Sequence, residues 1–286
     1  MQTKTPATLF KGFLILALAG MIIAGCKKTT TPADTDTTAS NENAFSEATF
    51  NDAGSISDQA ASNNMSSFRS GNDQGSLLSS CATITRDSSN HSDPDSIVVN
   101  FGATNCLCKD GRYRRGIIFI TYTKPNYWDS LNVITITFNG YYVDNYGVSG
   151  TKTMVYQGRI SGQPTYDITV TNGMITKPTG GSFTWNSTRE WKQIAGQNTP
   201  FWWGDDKYSL TGNANGVSSN GYGYTANIVS PLIRDFSCLI PRWFTQGVFD
   251  LTPTGKATRV VDFGSGICDD VCTVTISGTT YTIHMW

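Results

Sequence analysis

The chain has 286 residues, 15% of them charged, and a formal net charge of −1. That length allows one large β domain or two smaller ones, and the charge balance excludes the basic face a nucleic-acid binder needs. Aromatic residues at 12%, with abundant Val and Ile, exclude wholesale disorder.

Taken in order, the first element is an export signal. Lys4 and Lys11 precede an apolar run from Phe13 to Ile23, which ends on Ala24-Gly25-Cys26. The run is too short for a comfortable membrane span and has the anatomy of a secretory signal. Its ending, Ile23-Ala24-Gly25-Cys26, resembles the lipobox of bacterial lipoproteins. That resemblance implies a signal peptide over 1–25 and a mature chain that starts at Cys26 and carries lipid there. Acyl chains at about 0.8 kcal/mol per buried methylene make such an anchor lasting. The expected partner is therefore a membrane and the expected compartment the cell envelope. An ordinary signal peptide or a short anchor helix is the competing reading.

Residues 26–43 are Thr-rich, with Pro and no apolar periodicity, and read as a solvated tether. From 44 to 61, Ala44, Phe45, Ala48, Ala53, Ile56 and Ala60 recur at helical spacing. They predict a short amphipathic helix packing a Phe45/Ile56 stripe on a sheet, with a partner-binding helix as the alternative. Gly54 weakens that helix by about 1 kcal/mol. Residues 62–79 read as a loop.

Beyond residue 80 almost everything alternates with period two. Strands are predicted over 81–85, 96–101, 116–123, 133–143, 152–160, 166–171, 182–192, 207–211, 223–229, 247–251, 257–263, 273–277 and 280–286. Asn139-Gly140, Asn172-Gly173, Gly180-Gly181, Asn215-Gly216, Asn220-Gly221 and Ser277-Gly278 supply the positive φ of tight hairpins. The expectation is an all-β, mostly antiparallel meander (a twisted sheet, sandwich or partial barrel) with a short N-terminal helix, braced by disulfides. No linker-like composition interrupts 81–286, so 44–286 reads as one domain.

One phrase occurs twice. Val99-Asn100-Phe101-Gly102 leads after three residues to Cys106, and Val261-Asp262-Phe263-Gly264 leads after three to Cys268. Each follows an isolated cysteine, Cys81 or Cys238, and precedes another, Cys108 or Cys272. Pseudo-equivalent units are expected over 81–123 and 238–286. Without Cys26 six cysteines remain, and export favours disulfides. Symmetry suggests Cys81–Cys106 and Cys238–Cys268, with Cys108–Cys272 joining the units. The shifted set, Cys81–Cys108 and Cys238–Cys272 with Cys106–Cys268 between them, fits nearly as well. A zinc site on Cys106-x-Cys108 and Cys268-x3-Cys272 is the sharper alternative, but its spacing departs from the usual knuckles.

The lipobox, the Phe/Ala helix, Asp110-Gly111-Arg112 after the first FG-x3-C, and Asp269-Asp270 after the second together resemble a family of uncharacterised lipoproteins of the Bacteroidota. The resemblance spans most of the mature chain. It implies the pairs Cys81–Cys106 and Cys238–Cys268, supports pairing Cys108 with Cys272, and brings no activity. Surface-exported lipoproteins of that phylum often carry acids just after the lipidated cysteine. None occurs here before Asp34. That leans toward the periplasmic face of the outer membrane and leaves the leaflet open.

Signals of chemistry are sparse. His91 and His284 are the only histidines, and neither neighbours a nucleophile motif such as G-x-S-x-G. No phosphate loop, dinucleotide fingerprint or H-E-x-x-H occurs, so no cofactor or metal is expected. Asp93-Pro94-Asp95, Asp205-Asp206 and Asp269-Asp270 read first as turn acids. Phe201-Trp202-Trp203-Gly204-Asp205-Asp206 is the most suggestive stretch: flat aromatic faces stack on sugars while the acids accept hydroxyl hydrogen bonds. Core plugging by those tryptophans is the competing reading. Tyr127-Trp128, after Lys124-Pro125-Asn126, is a second aromatic candidate. The function expected is a non-enzymatic envelope lipoprotein with a structural or protein-interaction role. A glycan-binding lipoprotein using Trp202, Trp203, Asp205 and Asp206 is the alternative, and an extracytoplasmic hydrolase is third.

Overall fold

The structure is a computed structural model describing residues 1–3, 33–62, 78, 81–87, 94–199, 203–238 and 244–285. Residues Asp34–Trp286 form one compact unit. A helix, α1 (Thr38–Ala61), is followed by β1 (Thr83–Asp87), β2 (Asp95–Asn100), β3 (Cys106–Leu107), β4 (Tyr113–Tyr122), β5 (Val133–Val143) and β6 (Tyr146–Ile160). Then come β7 (Gln163–Thr176), β8 (Ser182–Ala195), β9 (Lys207–Val217), β10 (Gly223–Asp235), β11 (Gln246–Pro253), β12 (Arg259–Ser265), β13 (Val271–Ile276) and β14 (Thr279–His284). All fourteen strands form one antiparallel sheet in chain order, with β3 attached to β4 beside the main path. The predicted strands are all present; the two-residue β3 has no sequence signal.

The sheet wraps α1. The helix packs against β2, β5, β8 and β11, and only Thr38, Asn41, Asp58 and Ala61 escape full burial. The expected N-terminal helix is present and begins at Thr38; its packing is corrected, since the expectation was one stripe laid on a sheet. The helix has 24 residues, about 36 Å, and is enclosed on all sides. Its polar residues tolerate this because buried charges must be paired, and the strands supply the partners. Inward-facing Arg114, Lys152, Arg189, Arg234 and Arg259 stand on β4, β6, β8, β10 and β12, all at most 5% exposed. Arg189 donates twice to one oxygen of Glu47 (3.0 and 2.7 Å), and Arg112 and Arg234 reach Asp52 at 2.9 and 3.0 Å. Arg86 donates to the carbonyls of Ala60 and Ser62, satisfying the open C-terminal end of α1.

Successive hairpin tips meet the helix ever closer to its N-terminus. The β2–β4 connection brings Arg112 to Asp52, the β7–β8 turn Lys177 to Glu42, and the β11–β12 turn Lys256 to Asp36. At the opposite ends of the strands, Tyr127 reaches Asp58 and Arg234 reaches Asp52. The sheet thus winds as a spiral, and among the described residues no ladder joins β14 to β1. We call the side carrying the β4–β5, β6–β7, β8–β9 and β10–β11 connections the loop side, and the opposite one the turn side. On the outer face threonines stand in register across the ladder: Thr121, Thr135, Thr153, Thr169 and Thr188. They combine β-branching with a solvated hydroxyl.

Some predicted turns lie inside strands. Asn139-Gly140 and Asn172-Gly173 sit at register shifts of β5 and β7, where an extra residue needs positive φ, and Asn215-Gly216 lies in an unbroken ladder of β9. The β5–β6 turn is instead Asp144-Asn145, with φ of 47° and 65°. Both central residues are left-handed, as in a type I′ hairpin.

The duplicated phrase folds twice in the same way. Asn100 Oδ1 accepts the N–H of Gly102 and Asp262 Oδ1 that of Gly264, both at 2.8 Å; both glycines have φ of 84°, and Phe101 and Phe263 are buried. Cys81–Cys106 and Cys238–Cys268 are disulfides. Each closes the open end of a hairpin: β1–β2 on the turn side and β11–β12 on the loop side. The expected Cys108–Cys272 bridge is not formed. Cys272 Sγ lies 3.6 Å from Met285 Sδ, and Cys108 Sγ points to the carbonyl of Cys106 at 3.6 Å. The two clasps sit on opposite sides of the spiral, so the third cysteine of each unit faces its own local packing. Cys106 and Cys268, consumed in disulfides, also remove the proposed zinc set.

Candidate functional site

The loop side gathers the groups best suited to contact. Asp58, the carboxylate of α1 that keeps some exposure, accepts a hydrogen bond from Tyr127 Oη at 2.8 Å, and that hydroxyl also meets Ser57 Oγ at 2.7 Å. Burial pushes the Asp58 carboxyl up to about 6, against the Tyr127 hydrogen bond and the attraction of Lys152. Lys152 lies fully buried, donates to the Phe50 carbonyl at 3.0 Å, and is held down to about 8 by burial, with Glu47 and Asp58 opposing. Gly54 makes room for it: a Cβ there would stand 3.0 Å from Lys152 Nζ. The helix-weakening glycine thus has a packing reason.

Tyrosines extend the cluster along the strand ends. Tyr166 on β7 and Tyr208 on β9 each lie within electrostatic reach of both Asp58 and Asp206, and burial, followed by those carboxylates, raises both phenols. Asp206 accepts from Gln193 Nε2 at 2.7 Å and from Tyr208 Oη at 3.2 Å. Burial pushes it up to about 6, with Asp205 adding to the rise. Ring pairs Tyr156–Tyr166 (4.9 Å), Trp191–Tyr208 (5.1 Å) and Tyr208–Phe236 (5.6 Å) complete an aromatic strip.

The β4–β5 loop is built around Asn132, which is wholly buried. Its Oδ1 accepts from the N–H groups of Thr123 and Lys124, and its Nδ2 donates to the carbonyls of Asn126 and Tyr127. This fixes Tyr127 into the core and leaves Trp128 and Leu131 turned outward, 42% and 58% exposed.

Of the residues singled out in the sequence, Asp205 and Asp206 do join this side. Asp205 lies in the short 3-10 turn Trp203–Asp205 and accepts from Thr199 Oγ1 at 2.7 Å. Cys26, Trp202, His91 and Asp93 lie outside the described residues, as does the side chain of Trp203. His284 Nδ1 lies 3.2 Å from Asp270, well exposed at the sheet's last strand. Asp58, Tyr166 and Tyr208 carry no motif: the tyrosines show only strand alternation, which marks them as packing residues, and Asp58 stands among the polar residues of α1. Among the described residues no group of three or more His, Cys, Asp or Glu is placed to hold a metal, and no helix is long and apolar enough to cross a membrane. No protein-family model, curated protein or solved structure matches the chain.

Proposed function

We propose that the chain is a non-enzymatic lipoprotein of the cell envelope, anchored through Cys26 at the outer membrane, with a structural or protein-interaction role. The observation that supports this reading is the filled interior. Where a wrapped sheet of this size could hold a ligand it holds a helix, and the void beside Asn43, Glu47, Arg189 and Phe249 has room for about one water. Contact then falls to the surface, where a rigid scaffold presents loops. Metabolic labelling with an alkyne-tagged fatty acid tests the anchor. The wild-type chain takes up label and Cys26→Ala does not; label persisting in that variant, or missing from the wild type, rules the anchor out.

The strip of Tyr156, Tyr166 and Tyr208 beside Asp206 favours a second reading, a glycan-binding lipoprotein. Aromatic faces stacking on sugar rings and carboxylates accepting hydroxyls are the required chemistry. On a glycan array this reading expects a discrete set of bound sugars, weakened at least tenfold by Asp206→Asn or Trp202→Ala. A blank array, or binding indifferent to both changes, removes it.

A further inference from the structure

We infer that the β4–β5 loop is a second point of attachment to the membrane, a preformed tip that inserts into the headgroup region of an anionic bilayer. The argument starts from conformation. Leu131 has φ of 63°, a region costly for a bulky L residue, and it is 58% exposed. Local packing does not repay that conformation. It is imposed by the buried Asn132 next in sequence and by the Leu131 N–H, which donates to the Tyr156 carbonyl at 2.7 Å. Strain held at an exposed apolar residue by a rigid frame points to contact.

Neighbours supply the rest. Trp128, 42% exposed, stands edge-on to Tyr127 at 4.8 Å. Ser130 lies against Gly158, which brings the end of β6, with Ile160 46% exposed, beside the same loop. A tryptophan flanked by aliphatic side chains is the composition of interfacial insertion. Sugar platforms and ordinary polar loops lack the aliphatic pair. Lys124 opens the loop, and Arg159, exposed, precedes Ile160. Set against Asp129 within the loop, these two cations leave a net positive rim that complements anionic headgroups.

The geometry agrees with the proposed anchor, though the tip is argued independently of it. The chain enters the domain at the turn side, where Asp34 pairs with Arg259 at 2.6 Å and Asp36 with Lys256 at 2.8 Å. The tip lies beside Asp58, about 30 Å along the helix from its first residue, Thr38. Cys26 precedes Asp34 by eight residues, a leash of at most about 28 Å. An anchor at Cys26 would hold the domain within that reach of the bilayer and raise the tip's effective concentration there.

The test uses the chain from Lys27 to Trp286, which carries no lipid and contains the whole compact unit. Co-sedimentation is measured against vesicles of phosphatidylglycerol and phosphatidylcholine, and against phosphatidylcholine alone. The expected result is binding at millimolar lipid that favours the anionic vesicles. Trp128→Ala with Leu131→Ala should weaken it at least tenfold, while Lys124→Gln with Arg159→Gln abolishes the preference for anionic lipid. Equal urea midpoints show that the variants are folded, and a variant that fails this is replaced by Leu131→Gly, which the backbone accepts. No sedimentation of the wild type, or binding untouched by the apolar double variant, overturns the proposal; a tip seated in a protein cleft or on a glycan gives that outcome. A wild-type chain that takes up no fatty-acid label would instead strike the anchor and leave this result standing.

Discussion

Asp52→Ala is expected to destabilise the domain by about 3–5 kcal/mol, read as a lowered urea midpoint and a melting temperature lower by roughly 10 °C. Asp52 stands 4% exposed in the middle of α1 and faces Arg112 at 2.9 Å, Arg234 at 3.0 Å and Arg114 at 4.0 Å. The desolvation cost of such a cluster is large, and its mutual attraction roughly offsets that cost while the set is complete. Removing the one shared carboxylate leaves guanidinium groups buried and facing one another, although Arg112 and Arg114 retain Asp144 and Asp110. Arg234 loses most, because its Nη1 is buried without a hydrogen-bond partner. Arg234→Met in the Asp52→Ala background should therefore recover part of the loss, since an apolar side chain of similar length needs no counter-charge. A single variant within 1 kcal/mol of wild type would show that Asp52 does not hold the cluster together.

That prediction also shows where sequence reading stops. Strands were legible because a half-buried strand alternates, and 133–143 coincides with β5 to the residue. The helix was legible only in part. Its acids, Glu42, Glu47 and Asp52, have the look of a solvated face, and what buries them lies far along the chain. Arg112 is 60 residues from Asp52, Arg189 is 142 from Glu47, and Arg234 is 182 from Asp52. No local window holds both partners. The loop-side cluster divides the same way. Asp206 and Trp128 were visible through their neighbours, Trp202-Trp203 and the Lys-Pro-Asn turn. Tyr166 and Tyr208 look like ordinary strand aromatics until the spiral brings both to Asp58. Leu131 gives no sign of its left-handed backbone, since that conformation is usually announced by Gly or Asn. The disulfide clasps were legible because each is local to a hairpin, whereas the Cys108–Cys272 pairing required the two units to face each other.

The paired change Cys238→Ser and Cys268→Ser is expected to cost about 3.5 kcal/mol by loop-closure entropy, for a separation of 30 residues. Cys81→Ser with Cys106→Ser opens a loop of 25, and the same model gives nearly the same loss. The native states should nevertheless respond differently. The β11–β12 hairpin lies between β10 and β13, with Phe249 and Phe263 buried in the common core. Opening its base frees no strand edge, so its amides should still exchange by global unfolding. The β1–β2 hairpin forms one end of the sheet, where among the described residues β1 has only β2 for a ladder partner. Without its clasp β1 should fray, and its amides should exchange by local opening well below the global free energy. Urea midpoints measure the shared loss and hydrogen exchange separates the two sites. Unchanged midpoints would refute the entropic contribution. Equal protection of β1 with and without its disulfide would mean that Arg86, through the Ala60 and Ser62 carbonyls, holds the edge by itself.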